Sequence, residues 1–362
     1  MASADYLARA LVLHRWLTAL EPGLRLRVCC LDQTTCSVLS DMDLPGVTAL
    51  PLDELEAFDP ALREVRHRRT DWEYAMTLKP SLCRHALAQA GPGGVIAYVD
   101  ADLGFFGDPA ALVDELGEGA ALLVPHRYPP EREWMAQAWG RFNAGTILLR
   151  RSAEADEALS WWRDRCLEWC HRVPEAGRWA DQRYLDEWPR RWPGVGVVSH
   201  PGAGLAPWNG YRHELSCTDG AVLVDGRPLV FYHHQGLRLH RGPATLRRLG
   251  LLSTRYRLLP GRPSLVWRLE GKHSITPAEE RLVWAPYLRA LQRATAELRR
   301  VDPAVPKGFS ESLEVAALRR LVRSLARRSR RNARRSARRV RKTLRRRSKR
   351  ARRAFRNAVA GS

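Results

Sequence analysis

The feature that most constrains this chain is an alternation. Short apolar runs of strand length recur between residues 24 and 232, separated by stretches of helical spacing. Residues 6–20 place Leu7, Leu11, Leu13, Leu17 and Leu20 at helical intervals, and Glu21-Pro22-Gly23 stops the run. Strands are predicted at 24–31, 47–50, 95–99, 120–124, 146–149, 194–198 and 229–232. Helices are predicted at 52–58, at 71–89 with Pro80 kinking or restarting it, and at 154–170, whose Trp residues are read as core. Strands alternating with helices give an α/β body. Residues 95–99 are almost continuously apolar, as in a strand buried on both faces. From residue 242 to 300 the pattern turns mainly helical, with a capping box and a leading proline in Thr276-Pro277-Ala278-Glu279.

Charge separates this body from the C-terminal residues. The 362 residues have 60 Lys+Arg, 39 Asp+Glu and a net charge of +21. Of those cations 21 lie between Arg319 and Arg356, and no acid comes after Glu314. The remainder is neutral, so the basic balance describes a tail and excludes reading the whole chain as a nucleic-acid-binding globule. The chain divides into three regions: a body over 1–240, a mainly helical extension over 241–310, and an Arg-rich tail over 311–362, amphipathic or disordered. No run reaches the ~18 apolar residues of a membrane span, and the first residues lack the pattern of a secretory leader. Seven cysteines without a Cys-x-x-Cys pair are expected to be buried reduced thiols; a metal cluster of Cys166, Cys170 and His171 is the minor alternative.

Five short motifs could carry chemistry. In Tyr98-Val99-Asp100-Ala101-Asp102, two acids two apart in extended chain point to one side at the end of a strand. Open α/β sheets hold their ligands there, and a hard divalent cation whose shell is completed by phosphates needs few protein carboxylates. A cap or turn pair is the plain alternative. Phe142-Asn143-Ala144-Gly145, read as lying just before a strand, offers close backbone approach and an amide, or is a simple turn. Asp181-Gln182 opens a helical stretch, where Asp181 is either functional or an N-cap. His233-His234-Gln235-Gly236 comes directly after a strand, and an imidazole joining two carboxylates favours Mn²⁺ somewhat over Mg²⁺. Trp208-Asn209 pairs an aromatic face with an amide suited to a sugar or a base, or is a buried loop residue beside a turn.

In this order the motifs Lys79-Pro80, Tyr98-Val99-Asp100-Ala101-Asp102, Phe142-Asn143-Ala144-Gly145, Asp181-Gln182 and His233-x-x-Gly236 resemble nucleotide-diphospho-sugar transferases of the GT-A fold. The likeness is greatest to bacterial relatives of glycosyltransferase family 8 and covers about residues 5–237. The resemblance implies a mixed sheet and transfer of a sugar, with retention of configuration, from a nucleotide-sugar donor to a glycan or lipid-linked acceptor. By it, Asp100, Asp102 and His233 are the metal ligands, with His234 the ligand if the alignment slips by one. Lys79 is a basic residue facing the donor, Asn143 and Gly145 line the sugar pocket, and Asp181 and Gln182 lie beneath the anomeric carbon; Trp208 and Asn209, by their own chemistry, are expected to help orient the sugar. Two departures stand out. The family opens with a strand that would precede Asp5, expected to be missing or to lie upstream, and Leu237-Arg238 replaces the usual Lys-Pro-Trp, with Arg238 substituting for its charge.

The tail repeats small or apolar residues every three or four positions, through Leu318, Val322, Leu325, Ser329 and onward to Phe355 and Val359. Such a helix has one thin apolar stripe among cations and suits an anionic membrane surface. A nucleic acid or other polyanion bound without sequence preference is the second reading, with a degenerate transferase body, and a solvated tail without a partner is the third. A cytoplasmic protein, peripheral at the inner face of the membrane, is the expectation.

Overall fold

A computed structural model describes residues 1–175, 177–241, 257–259, 262–269 and 275–305. The basic tail lies outside the described residues.

The fold is mixed α/β. Helix α1 (Leu7–Leu20) is followed by the parallel strands β1 (Leu26–Cys30) and β2 (Val47–Pro51), with α2 (Gln33–Met42) crossing between them. Helices α3 (Leu52–Phe58), α4 (Ala61–Arg66) and α5 (Asp71–Ala88) come next. A mixed four-stranded sheet is ordered β3 (Val95–Val99), β6 (Phe142–Arg150), β5 (Ala121–Pro125), β7 (Val195–Val197). Its strand β6 is antiparallel to both neighbours, and β5 and β7 are parallel. A smaller sheet is ordered β4 (Leu103–Phe105), β12 (Phe231–His233), β8 (Ala203–Leu205). Strands β9 (Leu215–Thr218), β10 (Ala221–Val224) and β11 (Arg227–Pro228) form a meander before it. Helices α6 (Ala110–Leu116), α7 (Trp134–Trp139), α8 (Ala153–Glu168) and α9 (Trp188–Arg191) complete the body.

The N-terminal residues occupy a strand position. Ala2 makes a parallel bridge to Cys30, donating its N–H to the Cys29 carbonyl at 3.0 Å and accepting from the Leu31 N–H at 2.9 Å. Its side chain is buried.

Two expectations change. The strand over 95–99 is not buried on both faces: β3 is the edge of its sheet, Ala97 is exposed, and only Tyr98 is buried. An apolar run reports a preference for extended chain, not the number of layers that cover it. Residues 277–300 are helical as expected, but the region also holds strands: β14 (Arg257–Leu259) and β15 (Arg262–Leu269) form an antiparallel sheet with β13 (Leu237–Arg241). Within Arg262–Leu269 the run Leu265-Val266-Trp267 is short, apolar and partly β-branched or aromatic, which favours extended chain. The helix from Thr276 is present, running through Pro277–Glu279 and a π turn at Glu280–Trp284 into α10 (Ala285–Val301). This helix shares one hydrophobic core with the body, where Tyr287, Leu288 and Leu298 meet Leu7, Leu11 and Tyr232.

Helix α5 is fixed at its start by a capping box, in which Thr70 and Glu73 each bond the other's backbone N–H. A cap of this kind contributes about 1 kcal/mol. Pro80 lies inside the helix and cannot supply the N–H expected by the carbonyl one turn back. All seven cysteines are free, and six are buried.

Candidate active site

Asp100 and Asp102 sit on a turn between β3 and β4, not on extended chain. The Leu103 N–H bonds the Asp100 carbonyl at 3.2 Å and closes it. Strand β6 and the residue after β12 hold the turn from two sides: the Asp100 N–H donates to the Gly145 carbonyl at 2.8 Å, and the His234 N–H to the Asp102 carbonyl at 2.9 Å. The turn, rather than the two-residue period of a strand, makes the carboxylates converge.

His233 is the last residue of β12, within the strand rather than after it. Its Nε2 lies 3.1 Å from Asp102 Oδ1. One ligand atom from each of Asp100, Asp102 and His233 lies within 4.8 Å of the others, and among the described residues this is the group that could hold a metal ion. Burial pushes the Asp102 carboxyl up, but His233 and Arg9 outweigh it and hold it at about 2. The His233 imidazole is disfavoured as a cation by burial, yet the Asp102 carboxylate raises it above its ordinary value.

His234 is not part of this group. Alternation along the strand turns it to the other face, where its ring stacks on Tyr287 at 3.6 Å and meets the edge of Trp284 at 4.8 Å. Burial pushes it down to about 3, so it stays neutral.

The Lys79 ammonium lies 3.4 Å from Asp100 Oδ1, 3.3 Å from Asp181 Oδ2 and 3.3 Å from the Ala144 carbonyl. Its side chain is only 3% exposed. Lys79 joins two acids from separate segments. Burial disfavours its charge, but Asp100 and Asp181 more than compensate and raise its pKa. Tyr98 donates its hydroxyl to Asp100 Oδ1 at 2.7 Å and lies under the ammonium. Asp181 is fully buried, and burial raises its carboxyl despite Lys79. It makes no side-chain cap, so the N-cap alternative does not hold.

Asn143 and Gly145 lie within β6, so this motif is not a turn. Asn143 Oδ1 accepts from the Gly145 N–H at 2.8 Å, and its amide nitrogen lies 3.2 Å from His126 Nε2. A Cβ at Gly145 would stand 2.6 Å from Asn143 Oδ1, 2.8 Å from His233 Cε1 and 2.9 Å from Asp100 Oδ2. Glycine is required there because two of the three candidate ligands close over it. Gln182 accepts from the Ala144 N–H at 3.2 Å and donates to the Trp139 carbonyl at 2.8 Å.

Trp208 and Asn209 join the site differently from the expectation. The Trp208 indole N–H donates to the His126 carbonyl, and its ring meets His233 edge-on at 5.8 Å. The Asn209 amide is committed to the backbone, donating to His126 and Gly204 carbonyls and accepting from the Ala206 N–H. Asn209 holds the loop; Trp208 walls His233.

His126 is a site neighbour that the motifs alone assign no role. Its ring stacks on Tyr128 at 4.6 Å, and burial pushes it down to about 3. Its position in Pro125-His126-Arg127-Tyr128 was the one signal for it. The capping box at Thr70-x-x-Glu73, which anchors the helix carrying Lys79, was also legible. The cysteine–histidine alternative does not form: Cys166 is buried, and His171 pairs with Glu73 at 3.2 Å.

No family model matches the chain. YfnD of Bacillus subtilis (strain 168), an uncharacterized protein, is 32% identical over 286 residues, 78% of this chain and 85% of YfnD. YfnF of the same organism, also uncharacterized, is 30% identical over 244 residues, 66% of this chain and 80% of YfnF. Among solved structures, the galactosyltransferase LgtC in complex with donor and acceptor sugar analogs is similar with a TM-score of 0.42 and 17% identity, over 65% of this chain and 85% of that one. Mouse xyloside xylosyltransferase 1 is similar with a TM-score of 0.38 and 14% identity, over 64% and 92%. Likeness at that level is distant, and the chemistry rests on the chain's own residues.

Proposed function

The chain belongs to the family of YfnD and YfnF, and we propose that it is a GT-A-type, metal-dependent glycosyltransferase using a nucleotide-sugar donor. The observation that supports this most is the convergence of Asp100, Asp102 and His233 over Gly145, backed by the buried Lys79–Asp181 pair.

The donor set fits a divalent cation. Two carboxylates and an imidazole suit Mn²⁺, with Mg²⁺ the harder alternative. A Cβ at position 145 would fill the space beside them. When bound, such an ion supplies charge that stabilises a departing nucleoside diphosphate. Asp100, Asp102 and His233 would hold it, and His233 would be neutral as a ligand, giving up the proton it shares with Asp102.

Lys79 holds Asp100 and Asp181 in register, so the metal ligand and the acid beneath the sugar are fixed as one unit. Gln182, anchored to the Ala144 N–H, orients the reacting face. Trp208 closes one side of His233 and keeps water from that edge. An acceptor hydroxyl would form the new C–O bond on the face from which the nucleoside diphosphate departs, its proton passing to the leaving diphosphate oxygen as the old glycosidic C–O bond breaks. Retention of configuration, membership of glycosyltransferase family 8, and a glycan or lipid-linked acceptor are parts of this reading supported by the motif order. In the same reading the basic tail brings a cytoplasmic body to an anionic membrane surface, where each cation contributes roughly 1 kcal/mol.

The test is transfer and donor hydrolysis across a panel of nucleotide sugars with Mn²⁺ present. The double variant Asp100→Asn, Asp102→Asn should lose activity and Mn²⁺ binding while keeping its fold. Turnover equal to the parent chain would defeat the metal assignment, and no hydrolysis of any nucleotide sugar by the parent chain would defeat the transferase reading.

A further inference from the structure

Four tryptophans form a row at the surface. Trp134 and Trp139, at the two ends of α7, have ring centroids 5.5 Å apart. Trp139 and Trp179 are 6.3 Å apart, and Trp179 and Trp72 are 6.4 Å apart. Each ring is tilted about the next by 47° to 58°, so the row turns gradually instead of stacking shut. Trp134 is 57% exposed and Trp72 37% exposed, while the middle pair is half-buried. Of the 13 tryptophans only these two ends of the row are exposed, while Trp16, Trp161, Trp169 and Trp192 are half-buried like its middle pair. The Arg172 guanidinium lies over Trp72 at 5.2 Å.

The row is tied to the candidate catalytic segment. The Trp139 carbonyl accepts from Gln182 Nε2 at 2.8 Å, and Arg183 Nη1 donates to the Ala136 carbonyl at 2.7 Å, fixing α7 against residues 182 and 183. Between Trp179 and Asp181 stands Ala180, buried and at φ 45°, a backbone region that costs an alanine energy. That residue reverses the chain so that Trp179 faces the surface row while Asp181 turns into the buried pair with Lys79. A strained residue separating a surface aromatic from a buried acid is the arrangement expected where a site meets its substrate approach.

We propose that the row Trp134–Trp139–Trp179–Trp72 is the platform for a saccharide chain, the acceptor glycan, lying along it with its middle pair, Trp139 and Trp179, next to Gln182. This rests on the transferase reading for the word acceptor, though not for saccharide binding. The apolar faces of pyranose rings pack on aromatic faces, which order at low entropic cost. Successive rings spaced about one sugar apart serve successive sugars of a chain. Arg172 adds donors for hydroxyl or acidic groups at the far end. A contiguous exposed aromatic patch otherwise marks a protein or membrane contact; continuity with Gln182 favours the glycan.

The experiment is calorimetric titration of the full chain with malto-, cello-, galacto- and chito-oligosaccharides of one to five units. At least one series should bind with affinity rising with length. Trp134→Ala and Trp72→Ala should each weaken it roughly 3- to 10-fold, with Trp→Phe restoring most of it. In transfer assays the same variants should raise the acceptor KM while leaving the donor-hydrolysis rate unchanged. Binding by none of the series, or equal binding by the double alanine variant, overturns the proposal. So does tryptophan-dependent binding to phosphatidylcholine vesicles without saccharide binding. Saccharide binding that depends on the row, in a chain that hydrolyses no nucleotide sugar, keeps the platform and defeats the transferase reading.

Discussion

Replacing Gly145 by alanine tests the metal centre without removing any of its ligands. The added Cβ would lie 2.6 Å from Asn143 Oδ1, 2.8 Å from His233 Cε1 and 2.9 Å from Asp100 Oδ2. Ordinary contact begins at 3.4 Å, so these groups must give by 0.5 to 0.8 Å. None gives easily: Asn143 is tied to Gly145 itself, Asp100 to Tyr98 and Lys79, and His233 to Asp102. Overpacking of this size costs about 1–3 kcal/mol. Metal–ligand distances tolerate only about 0.2 Å, so the same displacement should weaken Mn²⁺ binding by roughly 10- to 100-fold, as loss of a ligand's supporting contact does. The assay is the electron paramagnetic resonance signal of free Mn²⁺ during titration, beside a thermal melt of each protein. Gly91→Ala is the control, because a Cβ there meets nothing within 4 Å. If Gly145→Ala binds Mn²⁺ within twofold of the parent chain, the three side chains do not form one site over Gly145.

Lys79→Met should lower stability by about 3–5 kcal/mol in denaturant unfolding, because it leaves the buried Asp181 carboxylate beside Asp100 with no cation between them; a loss under 1 kcal/mol would mean the ammonium is not the keystone of the cluster. Glu73 accepts backbone N–H bonds from Thr70 and Arg172, which outweigh its burial and hold its carboxyl at about 2 instead of the ordinary 4.5. Its folded-state pKa is depressed, so its contribution is complete above pH 4.5 and is lost as pH falls toward 2. Glu73→Gln should therefore flatten the acid limb of stability in that window, and an unchanged limb would refute the assignment. Tyr287→Phe should keep the ring that stacks on His234 and leave Mn²⁺ affinity unchanged, whereas Tyr287→Ala should cost about 3–5 kcal/mol of stability and loosen His233 beside it. Equal Mn²⁺ affinity in a folded Tyr287→Ala chain would show that the stack does not reach the ligand.

Much of the fold was legible because it is local. Helices α1, α3, α5 and α8 follow from apolar spacing and stop signals, and strands β2, β3 and β5 from short apolar runs, each within a residue or two of the observed bounds. Residues 262–269 were missed as a strand because Leu265-Val266-Trp267 is a short apolar run that spacing alone does not separate from a helical turn, and pairing with β13 settles it. Burial was the least legible quantity, as β3 illustrates: its residues chose a strand, and the placement of β6 on one side alone made it an edge.

The candidate site divides in the same way. Sequence by itself determined which groups exist: two acids two residues apart, histidines at a strand end, a lysine in a helix, a glycine in an apolar run. Such choices depend on residue type and near neighbours, and charge bookkeeping likewise isolated the tail from a neutral body. Tertiary structure decided which groups meet. It grouped His233 rather than His234 with the two acids, paired Lys79 with Asp100 and Asp181, and set Asn209 to hold a loop. It also drew Trp72, Trp134, Trp139 and Trp179 into one row from three separate segments. Convergence of residues far apart in the chain is fixed by how sheets and helices pack, and no local pattern encodes it.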